Sequence, residues 1–259
     1  MTYLWYVVAA LGAGISTGLV GLSAAAVMVP ILIVLCGVDA YHATAISLAS
    51  DVIASLVSSL VYIRHKNIDL KRSWMLLISV VVMCVVGSLV AWYVGNVTLG
   101  YFSLILCVFI GIRFIIQPDP KSRNLAEKGS VLDRKSKIIS VLLGMVIGFI
   151  VGFVGSGGGI MMLLVFTMFL GMERRTAVGT STFIMTLTAL IAFGSHAVID
   201  NNIILDQWQA LAVCVPVATV GAVVSSLFAN KVNNKVVGLV TGITLTVLGL
   251  VLIVLHFFF

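Results

Sequence analysis

Apolar runs of about twenty residues recur from one end of this chain to the other, broken only by short polar turns. About twenty residues of helix cross the hydrocarbon core of a bilayer, so a sequence built this way is written for lipid. Of its 259 residues 61% are hydrophobic and 9% charged, against roughly 25% charged residues in soluble domains. Mean hydropathy is +1.22. Breaks at charges and turn residues give ten segments, 3–21, 23–37, 43–63, 73–95, 98–117, 137–154, 158–171, 176–199, 208–229 and 235–259. The first has no basic flank and no small-residue cleavage site, so it is expected to belong to the mature fold. The net charge of +6 comes from basic residues in short loops, a topology signal, and nucleic acid is not an expected partner. Cys36, Cys84, Cys107 and Cys214 lie inside apolar runs without CxxC spacing. They read as small lipid- or core-facing side chains, and neither a metal nor a cofactor is expected.

The one long polar stretch, QPDPKSRNLAEKGSVLDRKSK, divides the chain into halves that repeat each other. A constant shift of 134 aligns Gly14 with Gly148, Gly18 with Gly152, Gly21 with Gly155 and Gly37 with Gly171. The same shift carries Ser47 onto Ser181, Trp74 onto Trp208 and Gly87 onto Gly221 without a gap. The expected division is a membrane repeat over 1–117, a linker over 118–136 and a second membrane repeat over 137–259. Five segments per repeat is an odd number, so the second copy should be inverted. Loop charge agrees: Arg64, Lys66, Lys71 and Arg72 face only Asp200 and Asp206 in the matching loop, while the 37–42 loop, without basic residues, matches Arg174 and Arg175. Cytoplasmic loops collect Lys and Arg, which puts the linker inside and both termini outside.

Segments 23–37 and 158–171 are too short for a core ~30 Å thick at 1.5 Å per residue. Each reads as a half-helix joined by a glycine turn to the segment before it, forming a broken or re-entrant hairpin. The expected fold class is therefore an all-α integral membrane protein of two inverted-topology repeats, each a broken hairpin plus three transmembrane helices. Backbone bent inside a membrane is tolerated where it is buried in protein or lines a wet cavity, and transporters of inverted repeats bind substrates there. Gly155, Ser156, Gly157, Gly158 and Gly159 leave forward-pointing N–H groups at the start of a half-helix, a place suited to a small anion. Gly21 and Ser23 stand at the matching bend and are carried as substrate contacts too. Gly14, Gly18, Gly148 and Gly152, four apart, read as close helix packing.

A polar stripe of Thr44, Ser47, Asp51, Ser55 and Ser58 marks one face of the third segment, and Thr176, Thr180, Ser181 and Thr188 echo it in the second half. Ser47, Thr180 and Ser181 are carried as substrate contacts, although such hydroxyls also bond the preceding turn of their own helix. Asp51 is an intramembrane carboxylate, a functional candidate by default. It reads either as a proton-coupling site or as a partner for an ion or for helix N–H groups; its counterpart, Met185, makes the arrangement asymmetric. His42 and His196 lie near helix ends and read as interfacial, as do Trp74 and Trp208.

The segment GFVGSGGGIMMLLVF with its copy GLVGLSAAAVMVPIL, and AVGTS at 177–181 with its weaker copy ATAIS at 43–47, resemble the sulfite exporter TauE/SafE family over essentially the whole chain. The resemblance implies a carrier in a prokaryotic plasma membrane moving sulfite, sulfonates or related small anions, most simply outward. The first copy departs from the family pattern, with Ser23, Ala24, Ala25 and Ala26 standing where glycines are usual. The expected function is thus a secondary transporter of a small anion, possible partners being that anion, the bilayer and a second copy of the chain. An anion channel and a carrier of small carboxylates remain alternatives. An intramembrane enzyme is less favoured, since Ser156 has no histidine evidently at its depth and no paired histidines mark a metal site.

Overall fold

The computed structural model describes residues 2–117, 134–156, 158–200, 202–228 and 234–258. The expected linker at 118–136 therefore falls outside the described residues, except where the next helix begins. Among the described residues every regular element is helical: α1 Thr2–Val20, α2 Ala25–Cys36, α3 Ala40–Arg64, α4 Leu70–Val94, α5 Asn96–Ile116, α6 Arg134–Val154, α7 Gly158–Met168, α8 Arg174–Ile199, α9 Ile203–Asp206, α10 Trp208–Phe228 and α11 Asn234–Phe258. Seven of these, α1, α3, α4, α5, α8, α10 and α11, are long and apolar enough to cross a membrane. The protein is an all-α membrane protein.

The halves follow one plan. α1 to α5 are matched in order by α6, α7, α8, α10 and α11 at close to the 134-residue shift, and the short α9 has no counterpart. The turns match as well. Gly21 and Gly155 take φ of +70° and +72°, and Gly37 and Gly171 take +68° and +59°, left-handed values that cost glycine little. Gly37 closes α2, its N–H bonded to the Leu32 carbonyl, so chain reversal is set at both ends of the half-helix.

Packing between the halves is reciprocal. α1 lies along α10 and α6 along α4, both parallel. The Tyr3 hydroxyl donates to Gln209 (2.8 Å) near the starts of α1 and α10, and Ser225 donates to the Gly14 carbonyl (3.3 Å) further along. A methyl on Gly14 would strike the Ala218 carbonyl, one on Gly18 Ser225, one on Gly148 the Val80 carbonyl and one on Gly152 the Cys84 carbonyl. Helices in lipid gain little from hydrophobic burial against each other, so this close backbone approach is what holds them. The glycines expected to pack do so.

The equivalent helices α3 and α8 run in opposite directions. Tyr41 at the start of α3 lies by His196 near the end of α8, Ser55 meets Thr186 at mid-length (3.1 Å), and Asp69, just past α3, donates its N–H to Thr180 near the start of α8 (3.0 Å). α5 and α11 are also antiparallel, with Cys107 by Leu245 and Gly111 by Gly242. Equivalent helices that run against one another are consistent with inverted repeats. Basic charge is segregated accordingly: exposed Arg64, Lys66, Lys71 and Arg175 share one end of the bundle with Asp69 and Glu173, while Asp39, His42, Asp200 and Asp206 share the other. Trp74 and Trp208 are exposed at the starts of α4 and α10, as membrane-interface anchors would be.

Candidate functional site

The two broken hairpins meet inside the bundle. Their arms are unequal: α1 has 19 residues and α2 has 12, about 28 and 18 Å at 1.5 Å per residue. The long arm carries its bend past the middle, so Gly21 lies against Val178, Ser181 and Thr182 in the first third of α8. Gly155 likewise lies against Thr44 and Leu48 in the first third of α3. The short arms start at mid-height, beside Asp51 and Met185. The bends touch there: a methyl on Gly159 would collide with the Gly21 carbonyl and lie 2.6 Å from the Met185 sulfur. Ser23, Asp51 and Ser156 are all buried, at 3%, 2% and 1% exposure.

Asp51 caps the first half-helix across the fold. Its Oδ1 accepts the Ala24 N–H (3.0 Å) and its Oδ2 lies 2.6 Å from the Ser23 hydroxyl. A carboxylate here offsets the partial positive charge where α2 begins. The same Ser23 oxygen lies 2.9 Å from the Gly155 carbonyl, which ties the first bend to the second. At the matching position beside the start of α7 stands Met185 of α8, which carries no carboxylate. The start of the first half-helix is thus filled by the Asp51 carboxyl group, and the start of the second is flanked by glycine and a thioether. Gly157 lies outside the described residues; Gly158 and Gly159 open α7 and are buried.

The predicted polar stripe faces inward, Thr44, Ser47, Ser55, Ser58, Thr180, Ser181 and Thr188 all being buried. Most of its hydroxyls bond their own helix: Ser47 donates to the Ala43 carbonyl (2.8 Å), Ser181 to Val178 (2.9 Å) and Thr188 to Ile184 (3.0 Å). Thr180 instead accepts the Asp69 N–H and fixes the loop after α3. Ser181, which lies against Gly21, and Ser47 therefore have no hydroxyl hydrogen to spare.

His196 corrects the sequence expectation. It does not face lipid or water: it is fully buried in the bundle, its ring centroid 4.4 Å from that of Tyr41, with Nε2 donating to the Gly152 carbonyl (3.1 Å). Its place on the inner face of α8 was hidden because helix phase cannot be set from one polar residue near an end. His42 sits between Asp39 and Asp200, the latter at 3.1 Å from Nε2, so it links the start of α3 to the end of α8. These two carboxylates with Tyr41, Trp92 and Asn96 line a cavity of about 320 Å³ at the acidic end of the bundle, a feature that residues from separated segments build and sequence reading missed.

Residues 6–252 match the family described as Sulfite exporter TauE/SafE. The chain belongs to that family. Across 271 aligned residues it is also 25% identical to the probable membrane transporter protein YunE of Bacillus subtilis (strain 168), an alignment covering 98% of each chain. No solved structure matches the chain. The TauE/SafE match takes in both bends and every helix beside them, so the paired broken hairpins lie within the region that defines membership. A membrane transporter is the activity that membership indicates.

Proposed function

We propose that this protein is a secondary carrier of a small sulfur-containing anion, sulfite or an organosulfonate, exported from a prokaryotic cell through its plasma membrane. The observation that carries the reading is the asymmetry of the bends. Two half-helices begin at the middle of the bundle, where a small anion is stabilised by unpaired N–H groups and the helix dipole; Asp51 occupies the first, and among the described residues Met185 stands in its place at the second. The anion binds at the second bend, at Gly155, Ser156, Gly157, Gly158 and Gly159, with Gly21, Ser47, Thr180 and Ser181 around it. Burial of the bends supports a carrier that opens to one side at a time over a channel with a continuous wet path. The family's transport activity argues against catalysis.

Asp51 is the proton site of this carrier. An ionised carboxylate close to a bound anion repels it, whereas the protonated acid does not, so proton and anion bind together and each raises the affinity for the other. Anion binding accordingly tightens as pH falls. Basic residues at the Arg64 and Arg175 end support a cytoplasmic position for that end, with the 118–136 linker inside and both termini outside.

The test is flux in proteoliposomes holding purified protein, with sulfite, sulfate, methanesulfonate and acetate as candidate substrates. Saturable flux of sulfite or methanesulfonate, faster under an imposed proton gradient, is the expected result. Flux that rises linearly with concentration and ignores the gradient would replace the carrier with a channel, and flux of acetate alone would replace the substrate class.

A further inference from the structure

Ser23 has a single hydroxyl hydrogen and two acceptors within reach, Asp51 Oδ2 at 2.6 Å and the Gly155 carbonyl oxygen at 2.9 Å. With Asp51 ionised the hydroxyl can serve only one of them. The charged acceptor wins, since charge-assisted hydrogen bonds are roughly twice as strong as neutral ones, and Gly155 then loses its bond to Ser23. With Asp51 protonated at Oδ2, the acid donates to Ser23 and the freed hydroxyl hydrogen turns to Gly155, so every donor in the chain has an acceptor. The Ala24 N–H stays on Oδ1 in both states. Nothing else need move for the hydrogen-bond pattern to change.

We propose that Ser23 is a positioning residue through which the proton on Asp51 closes, and its departure opens, a hydrogen-bonded bridge between the bends of the two halves. The inference rests on Asp51 being the proton site of the carrier. It gives the coupling a path: the carbonyl that receives the bond belongs to Gly155, the residue that opens the glycine run at the second bend. A proton drawn from one side therefore fixes the second bend, and its release frees it. The bridge stands apart from other titrating groups. Among the described residues the elements packed against α3 bring Tyr3 and Tyr6 on α1, Cys36 on α2, Tyr101, Cys107 and Arg113 on α5, Arg175 and His196 on α8 and Cys214 on α10; none of them interacts electrostatically with Asp51. His196 bonds Gly152, and Cys107 and Cys214 lie against the Leu245 and Tyr6 carbonyls. Asp51 faces Ser23 and Ala24, and its own carbonyl accepts from Ser55.

The experiment measures sulfite flux in proteoliposomes from acid to alkaline pH for the full chain and for Ser23→Ala, Ser23→Thr and Asp51→Asn. Sulfite itself titrates near neutrality, so each rate is divided by that of Asp51→Asn at the same pH. For the unmodified protein this ratio should vary severalfold across the range; a constant ratio would remove the proton role of Asp51 and the bridge with it. For Ser23→Ala the ratio should become constant, while the infrared carbonyl band of the Asp51 acid still appears and disappears with pH. Ser23→Thr, which keeps the hydroxyl, should restore the dependence. A Ser23→Ala ratio that varies as in the unmodified protein would overturn the bridge and leave the proton role of Asp51 standing. An acid band that no longer titrates in Ser23→Ala would also overturn it, since Ser23 would then act only on the carboxyl group. Should Ser23→Ala fail to fold, Ser23→Gly, which installs the residue found at the matching position 157, gives the same comparison.

Discussion

At the residue scale the bend divides into positions that can be varied and positions that cannot. Gly159→Ala sets a methyl against the Gly21 carbonyl and the Met185 sulfur. Backbone has to move, and overpacking of this kind costs about 1–3 kcal/mol; a fall in the melting temperature of the detergent-solubilised protein checks it. At Gly158 the obstruction is a methyl of Val151, the tip of a side chain. Gly158→Ala should therefore fold, and its sulfite affinity should drop, a separation that titration of folded protein would reveal. Asp51→Ala strips the acceptor from the Ala24 N–H, an unpaired buried group costing about 1–3 kcal/mol, while the Ser23 hydroxyl turns to the Gly155 carbonyl. Asp51→Asn keeps an oxygen for Ala24 but cannot release a proton, so it should stay folded and bind sulfite at alkaline pH at least as well as the unmodified protein. Equal melting temperatures for Asp51→Ala and Asp51→Asn would show that capping contributes nothing. The sequence offered both roles for Asp51, coupling and capping. It could not supply Ser23 and Ala24 as partners, because the carboxyl reaches them only after the hairpin folds back on α3.

Among elements, the helices and their pairing were largely legible and their neighbours were not. Apolar runs, the four-residue glycine spacing and the 134-residue shift fixed where helices begin, which faces approach closely and which turns are equivalent. The partner of each glycine face was not readable, since small residues permit close approach to any helix. α1 packs on α10 and α6 on α4, both in the opposite half, and this reciprocity makes a prediction. Gly18→Val and Gly152→Val occupy equivalent places, striking Ser225 on α10 and the Cys84 carbonyl on α4. Both should lower thermal stability severely and to a similar degree, whereas Gly194→Val, where an added Cβ meets nothing within 4 Å, should be mild. α9 escaped the sequence reading because a single turn of helix carries too few residues to show a period.

For the whole molecule the decisive quantity is the direction of equivalent helices. α3 and α8 match in order, yet the start of one lies by the end of the other, as do those of α5 and α11. If both cross the membrane, the loop after α3 and the loop after α8 lie on opposite sides, whichever way the protein inserts. Charge then chooses the orientation: the 64–72 loop carries Arg64, Lys66, Lys71 and Arg72, and the 199–207 loop carries only acidic charges, so the first belongs in the cytoplasm. Single cysteines at Lys66 and Asp206, both exposed, in a variant lacking Cys36, Cys84, Cys107 and Cys214, test this in whole cells with a thiol reagent that cannot cross the membrane. The reagent should label position 206 in intact cells and position 66 only after the membrane is opened. Labelling of both from outside would end the inverted arrangement, and with it the argument that the anion site lies where two oppositely oriented half-helices meet. Labelling of 66 alone would keep the inversion and reverse the assignment of sides.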